Sequence, residues 1–154
     1  MMKNNKIIII LFTTIFIIII NILSYSKGFV KDENGEWMYQ LENGVYDTNN
    51  FHTSGNKKFW LGADGHIDKN TLIKDREGDA YYIDGEGCPV QDSLVLVNEN
   101  TKSNFKIDKE YEYYFKGKTG KAEYKIDKST GDKIMMEKKV RNNPDGTINY
   151  IDQG

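Results

Sequence analysis

Apolar positions follow two regimes along this chain. From Ile7 to Ile20 ("IIIILFTTIFIIII") twelve of fourteen residues are apolar, and no later stretch is as dense. Beyond Gly28 the apolar residues come in short runs rich in aromatic and β-branched side chains. These runs are punctuated by Asn34-Gly35, Asn43-Gly44, Asp64-Gly65 and Glu86-Gly87. Such runs predict strands, and such steps supply the positive φ that tight hairpin turns demand. The pattern predicts an all-β chain of hairpins behind an apolar N-terminal segment.

The runs keep a common phase. An aromatic residue precedes a glycine by five positions at Tyr39/Gly44, Trp60/Gly65 and Tyr82/Gly87, in steps of 21 and 22 residues. Seven residues after each glycine stands Phe51, Leu72 or Leu94. A lone hairpin of this length cannot bury its apolar face, whereas stacked copies can. The expectation is stacked β-hairpin repeats over residues 27–97, with Gly44, Gly65 and Gly87 as structural turn glycines.

The stretch "GFVKDENGEWMYQLENG" (28–44) resembles the cell-wall-binding, or choline-binding, repeat of Gram-positive surface proteins. That family reads roughly Gly-Trp-Val-Lys, a short turn, Trp-Tyr-Tyr-Leu, three residues and glycine. The short repeats of large glucosylating toxins are similar. The Trp-Tyr-Tyr-Leu block matches "WMYQ" (37–40), "KFWL" (58–61) and "AYYI" (80–83), so the resemblance covers about residues 28–97. It implies a β-solenoid of stacked hairpins that grips choline or sugar groups of wall polymers between aromatic side chains of neighbouring repeats. A quaternary ammonium has no hydrogen to donate, so π faces must hold it. Carried onto this chain, the ligand-binding aromatics are Trp37, Tyr39, Phe51, Phe59, Trp60, Tyr81 and Tyr82. The family's Gly-Trp tryptophan corresponds to Phe29, Phe51, Leu72 and Leu94, and its leading block tryptophan is kept at Trp37 but replaced by Lys58 and Ala80. The later copies are therefore degenerate, and a lysine at a cage wall repels a cation.

The flanks complete the organisation. Lys3 and Lys6 precede the apolar run, and Ser24 and Ser26 are small residues where a signal peptidase reads. Residues 1–26 thus predict a signal helix cleaved after Ser26 and a secreted or cell-surface, wall-associated protein. The alternative is an uncleaved anchor, the one route to membrane contact; the run is shorter than the ~20 residues of a spanning helix. Residues 98–154 predict a β-rich tail, with strands near 110–117, 121–127, 133–140 and 147–152. The tail either continues the stack as degenerate hairpins or caps it as a meander.

Charge narrows the partners. The chain carries 21 basic and 23 acidic side chains, and without residues 1–26 the balance falls to 19 against 23. That acidity argues against nucleic acid. Residues 27–97 hold 7 basic and 13 acidic side chains, residues 98–154 hold 12 and 10.

Candidate chemistry is sparse. The two histidines, His52 and His66, show no zinc spacing, and "DKNTLIKDREGD" puts Leu72 where a calcium loop needs oxygen. The lone Cys88 makes no internal disulfide; it is either a buried filler or a thiol that pairs between chains. No nucleophile–base pair, metal set or cofactor loop is expected, hence no enzyme. The sequence reads as a secreted, non-catalytic protein that binds a cell-wall polymer or glycan through stacked aromatics. The alternative is a protein–protein interaction module, an effector or adhesin, on the same scaffold.

Overall fold

The computed structural model describes residues 26–136 and the backbone of two further strands, 139–142 and 148–151. Of the expected signal segment, 1–26, residues 1–25 lie outside the described residues. Every regular element described is a strand: β1 (Gly28–Lys31), β2 (Trp37–Gln40), β3 (Asn50–Ser54), β4 (Lys57–Leu61), β5 (Thr71–Lys74), β6 (Ala80–Ile83), β7 (Ser93–Val97), β8 (Tyr111–Phe115), β9 (Ala122–Asp127), β10 (Lys133–Met135), β11 (Lys139–Asn142) and β12 (Ile148–Ile151). Among the described residues no helix is long and apolar enough to cross a membrane.

The strands pair as small antiparallel hairpins, β1–β2, β3–β4, β5–β6 and β11–β12, beside a four-stranded sheet in the order β10-β9-β8-β7. Register repeats with the sequence period: Phe29 faces Tyr39, Phe51 faces Trp60, and Leu72 faces Tyr82. Leu94 faces Tyr114 in the same way, so β7 and β8 form a fourth hairpin of matching register. Its long loop delays the next glycine. The expected division after Val97 therefore falls at the end of β7, which pairs with β8. The stretch 133–140, expected as one strand, is two: β10 pairs with β9, and β11 with β12.

Each of the first three hairpins continues into a turn that folds back on its second strand. The bond Leu41 N–H to Val45 O recurs as Gly62 to His66 and Asp84 to Cys88, each at 2.8 Å. Gly44, Gly65 and Gly87 take φ of 80°, 85° and 90° in these turns. Five residues further on, Asn49, Asn70 and Asp92 also have positive φ, which these two residue types tolerate best among those with a side chain. Carboxylates close the turns: Asp32 Oδ1 accepts from the N–H groups of Asn34 and Glu36, and Asp84 Oδ1 from those of Glu86 and Cys88.

Neighbouring hairpins touch through backbone and rings. Ile67 N–H donates to Trp37 O at 3.0 Å, and Trp60 N–H to Gly87 O at 3.2 Å. Phe29 meets Phe59 with ring centroids 5.6 Å apart, and one repeat later Phe51 meets Tyr81 at 4.9 Å. Trp60, Ile73, Tyr81 and Ile83 form one buried cluster; Leu72, Val97, Tyr113 and Phe115 belong to a second, larger one under the four-stranded sheet. The first hairpin contributes no fully buried residue. It is the first described unit of the array.

Two outcomes test this packing. A methyl group at Gly87 would overlap Ile67 Cγ2 while the backbone keeps φ at +90°, whereas Gly35, at +83°, faces open space. Strain costs about 1–2 kcal/mol at either site and overpacking adds about 1–3 at Gly87. Gly87→Ala is thus expected to lower the urea midpoint clearly more than Gly35→Ala. Lys109 and Ser129 bond Asp127 and hold its carboxyl far below the usual range. A depressed folded pKa stabilises above the unfolded value and loses that contribution as pH falls toward the folded one. The stability gap between the native protein and Asp127→Asn should accordingly be full at pH 7 and shrink below about pH 4, as read from denaturation midpoints across pH.

Candidate functional site

A cavity of roughly 730 Å³ opens between the first two hairpins. Its aromatic walls are Phe29 from β1, Trp37 from β2 and Phe59 from β4; Glu36, Asp64, His66, Asp68 and Glu86 add polar groups around it. Strand alternation explains the arrangement: Phe29 and Phe59 project toward each other across the hairpin junction, while Trp37 stands at the start of β2, 46% exposed. Two lysines also line the cavity, Lys69 and Lys102, and Lys102 is tied to Asp68.

Several rings elsewhere are covered by the chain's own ammonium groups. Lys58 Nζ lies 3.8 Å from the Phe51 centroid and 5.5 Å from that of Tyr81. Desolvation over those rings holds the Lys58 pKa below the usual lysine value. Lys74 covers Phe105, Lys125 covers Tyr111 and Lys133 covers Tyr124, at 4.8, 4.1 and 3.7 Å. Lys31, which is not a lining residue of the cavity, approaches Trp37 at 4.9 Å, and among the described residues no lysine sits over Phe29 or Phe59.

The expected ligand aromatics thus divide by position. Trp37 and Phe59 line the cavity. Tyr39 stacks on His52 at 3.5 Å and meets Phe29 edge-on, so it backs the cavity wall. Phe51, Trp60 and Tyr81 come together as a separate cluster in which Trp60 is 2% and Tyr81 3% exposed. Burial pushes the Tyr81 hydroxyl pKa well up. Tyr82 is half-buried, 6.5 Å from Phe115 in the terminal core. A second recess of about 500 Å³, lined by Lys57, Lys58, Lys118 and Lys121, is basic. Cys88 lies on its wall as a free, half-buried thiol whose pKa burial raises.

Sequence reasoning left Phe29, Glu36, Asp64 and His66 out of the site. Phe29 had a signal, since it holds the position of the family's Gly-Trp tryptophan. The others sit on turns whose proximity no spacing reveals. His66 Nε2 approaches Asp32 Oδ2 at 3.3 Å and Glu36 Oε2 at 3.8 Å, and its Nδ1 approaches Asp64 Oδ2 at 3.4 Å. Burial opposes the charged imidazole, but these carboxylates outweigh it and hold the His66 pKa above the ordinary value. Bonds from the Glu36 and His66 backbone hold the Asp32 and Asp64 carboxyls low.

No protein-family model and no curated relative matches the chain. Among solved structures it is similar to the modular Cpl-1 endolysin complexed with a peptidoglycan analogue, at 17% identity over 82% of this chain and 38% of that one, with a TM-score of 0.42. It is similar to the modular autolysin LytC from Streptococcus pneumoniae in complex with a synthetic peptidoglycan ligand, at 20% identity over 79% and 28% of the two chains, TM-score 0.45. The choline-binding domain of CbpL from Streptococcus pneumoniae is similar at 19% identity over 81% and 87%, TM-score 0.39. The chain thus spans well under half of the endolysin and of the autolysin.

The two tryptophans report separately on this geometry. Trp37→Phe should leave a blue-shifted emission from Trp60 that acrylamide quenches poorly. Trp60→Phe should leave the red-shifted, readily quenched emission of Trp37, and equal quenching of both variants would contradict the placement.

Proposed function

We propose that this protein is a non-catalytic binding module of the cell envelope, secreted or held at the cell surface, which takes a cationic group of a wall polymer or glycan into the cavity between its first two hairpins. The observation that carries the reading is the meeting of π faces with carboxylates. Phe29 and Phe59 offer rings that no lysine among the described residues covers, Trp37 offers a third that Lys31 approaches, and Glu36 and Asp64 bear negative charge that no lysine or arginine among the described residues neutralises. A quaternary ammonium, lacking a donor hydrogen, is held by ring faces and attracted by a nearby carboxylate. A sugar's apolar face would stack on exposed Trp37 in the same place. Contacts of about 0.5–2 kcal/mol per ring put one such site in the roughly millimolar range. A polymer that repeats the group gains through multiple attachment.

In this reading Trp60, Tyr81 and Tyr82 build a solenoid-like stack, and Lys58 supplies the second hairpin's rings with an internal cation in place of an external one. Export rests on the pattern of residues 1–26. The protein-binding alternative is favoured by a different observation: Leu94 and Leu96 on edge strand β7 are 56% and 54% exposed. An uncharged, unpaired edge invites another chain.

Sedimentation with purified bacterial walls tests both. The native protein should pellet with walls and be released by excess choline, and Trp37→Ala should stay in the supernatant with its thermal midpoint nearly unchanged. Pelleting that Trp37→Ala leaves intact would defeat the cavity reading. Pelleting that survives choline and free wall sugars but disappears after trypsin treatment of the walls would transfer the function to protein binding.

A further inference from the structure

We propose a divalent-cation site at the junction of the first two hairpins, with Asp32 Oδ2, Glu36 Oε2 and His66 Nε2 as ligands and a zinc-class ion as the occupant. The three donor atoms lie within 4.8 Å of one another. They come from two separate turns that the backbone holds together independently of the side chains. Asp32 and Glu36 flank the turn that closes β1–β2, where Asp32 N–H donates to Glu36 O at 2.9 Å. His66 follows Gly65 in the next repeat, bridges to Met38 of β2, and its neighbour Ile67 donates to Trp37 O. The site is assembled before any ion arrives.

The spacing of the donors favours an ion over a plain hydrogen bond. A charge-assisted bond between imidazole and carboxylate closes to about 2.7–2.9 Å, and this protein makes one, His52 to Asp47, at 2.7 Å. His66 instead stands 3.3 Å from Asp32 Oδ2 and 3.8 Å from Glu36 Oε2. Two ligands at about 2.0–2.1 Å from a tetrahedral ion are roughly 3.4 Å apart, which is this range. The Glu36 side chain is 65% exposed and has room for the small remaining adjustment.

Orientation and charge agree. Two backbone N–H groups fix Asp32 Oδ1, while Oδ2 faces His66 and also accepts from Asn34 Nδ2 at 3.3 Å, a bond an ion would share or displace. His66 Nδ1 is buried and makes no hydrogen bond, with Asp64 Oδ2 at 3.4 Å as its nearest carboxylate. A metal-bound imidazole characteristically directs its other N–H to such a carboxylate. Among the described residues no lysine or arginine pairs with Asp32, Glu36 or Asp64. One imidazole with two carboxylates suits zinc, whereas calcium wants six to eight oxygens. A water from the cavity side would complete a tetrahedral set. The ion would clamp the first hairpin to the second, and this departs from the sequence expectation of no metal.

Titration calorimetry of tag-free protein with zinc chloride, in a Cys88→Ser background that removes the thiol, reads the site without any wall ligand. The expected result is one ion per chain and a thermal midpoint that rises with zinc. Glu36→Gln, on an exposed side chain, should weaken binding at least about tenfold, Asp64→Asn about tenfold to a hundredfold, and His66→Gln should abolish it. His52→Gln should leave it unchanged. Absence of a one-to-one isotherm, equal binding by Glu36→Gln and His66→Gln, loss on His52→Gln, or tighter binding of calcium than of zinc would each overturn the assignment. Failure here leaves the wall-binding cavity standing, because zinc alone is the probe.

Discussion

The ring five residues before each turn glycine, Tyr39, Trp60 or Tyr82, set against the hairpin that follows, is the contact on which the rest depends. Tyr39 stacks on His52, Trp60 shares a buried cluster with Ile73, and Tyr82 packs on the terminal core with Val95. Four- and five-residue strands bury little within their own hairpin. The next copy supplies the missing cover, and the fold-back turn places it through Ile67 to Trp37 and Trp60 to Gly87. Burial consequently deepens along the chain, from a first hairpin with no buried residue to Leu72, Ile73 and Ile83 at 0% exposure in the third.

That gradient places the candidate site. The first hairpin has a follower but no described predecessor, so its outward rings stay accessible and Trp37 remains exposed. Further along, equivalent rings either enter the core, as Trp60 and Tyr81 do, or carry an internal lysine, as Phe51 does. Replacing the block's leading tryptophan by Lys58 is thus more than the loss of a cage wall. The ammonium occupies the faces that an external cation would need.

The same junction gathers carboxylates around His66. Turns built on Asp and Asn use their side-chain oxygens for backbone N–H groups, so several hairpin ends carry acids, Asp32, Asp64 and Asp84 among them. Stacking turns of successive repeats brings these acids together, and a histidine in one turn meets carboxylates of another. Cation recognition by rings and cation ligation by oxygen and nitrogen then become neighbouring properties of one crevice.

The sequence by itself determined the hairpins, their register and their period, because these depend on local chemistry: apolar alternation, glycines at positive φ, and turn residues at fixed offsets. A further marker was also present, the Asn49, Asn70 and Asp92 positions five residues after each glycine. The fourth hairpin was harder to read, since a long loop between β7 and β8 displaced its glycine while leaving the pairing of Leu94 with Tyr114 intact. Only the tertiary structure decided which rings face solvent, which lysines cover them, and that His66 lies beside Asp32, 34 residues earlier. Period specifies what repeats, but exposure and proximity depend on how each unit is rotated onto the next, and no spacing along a chain encodes that rotation.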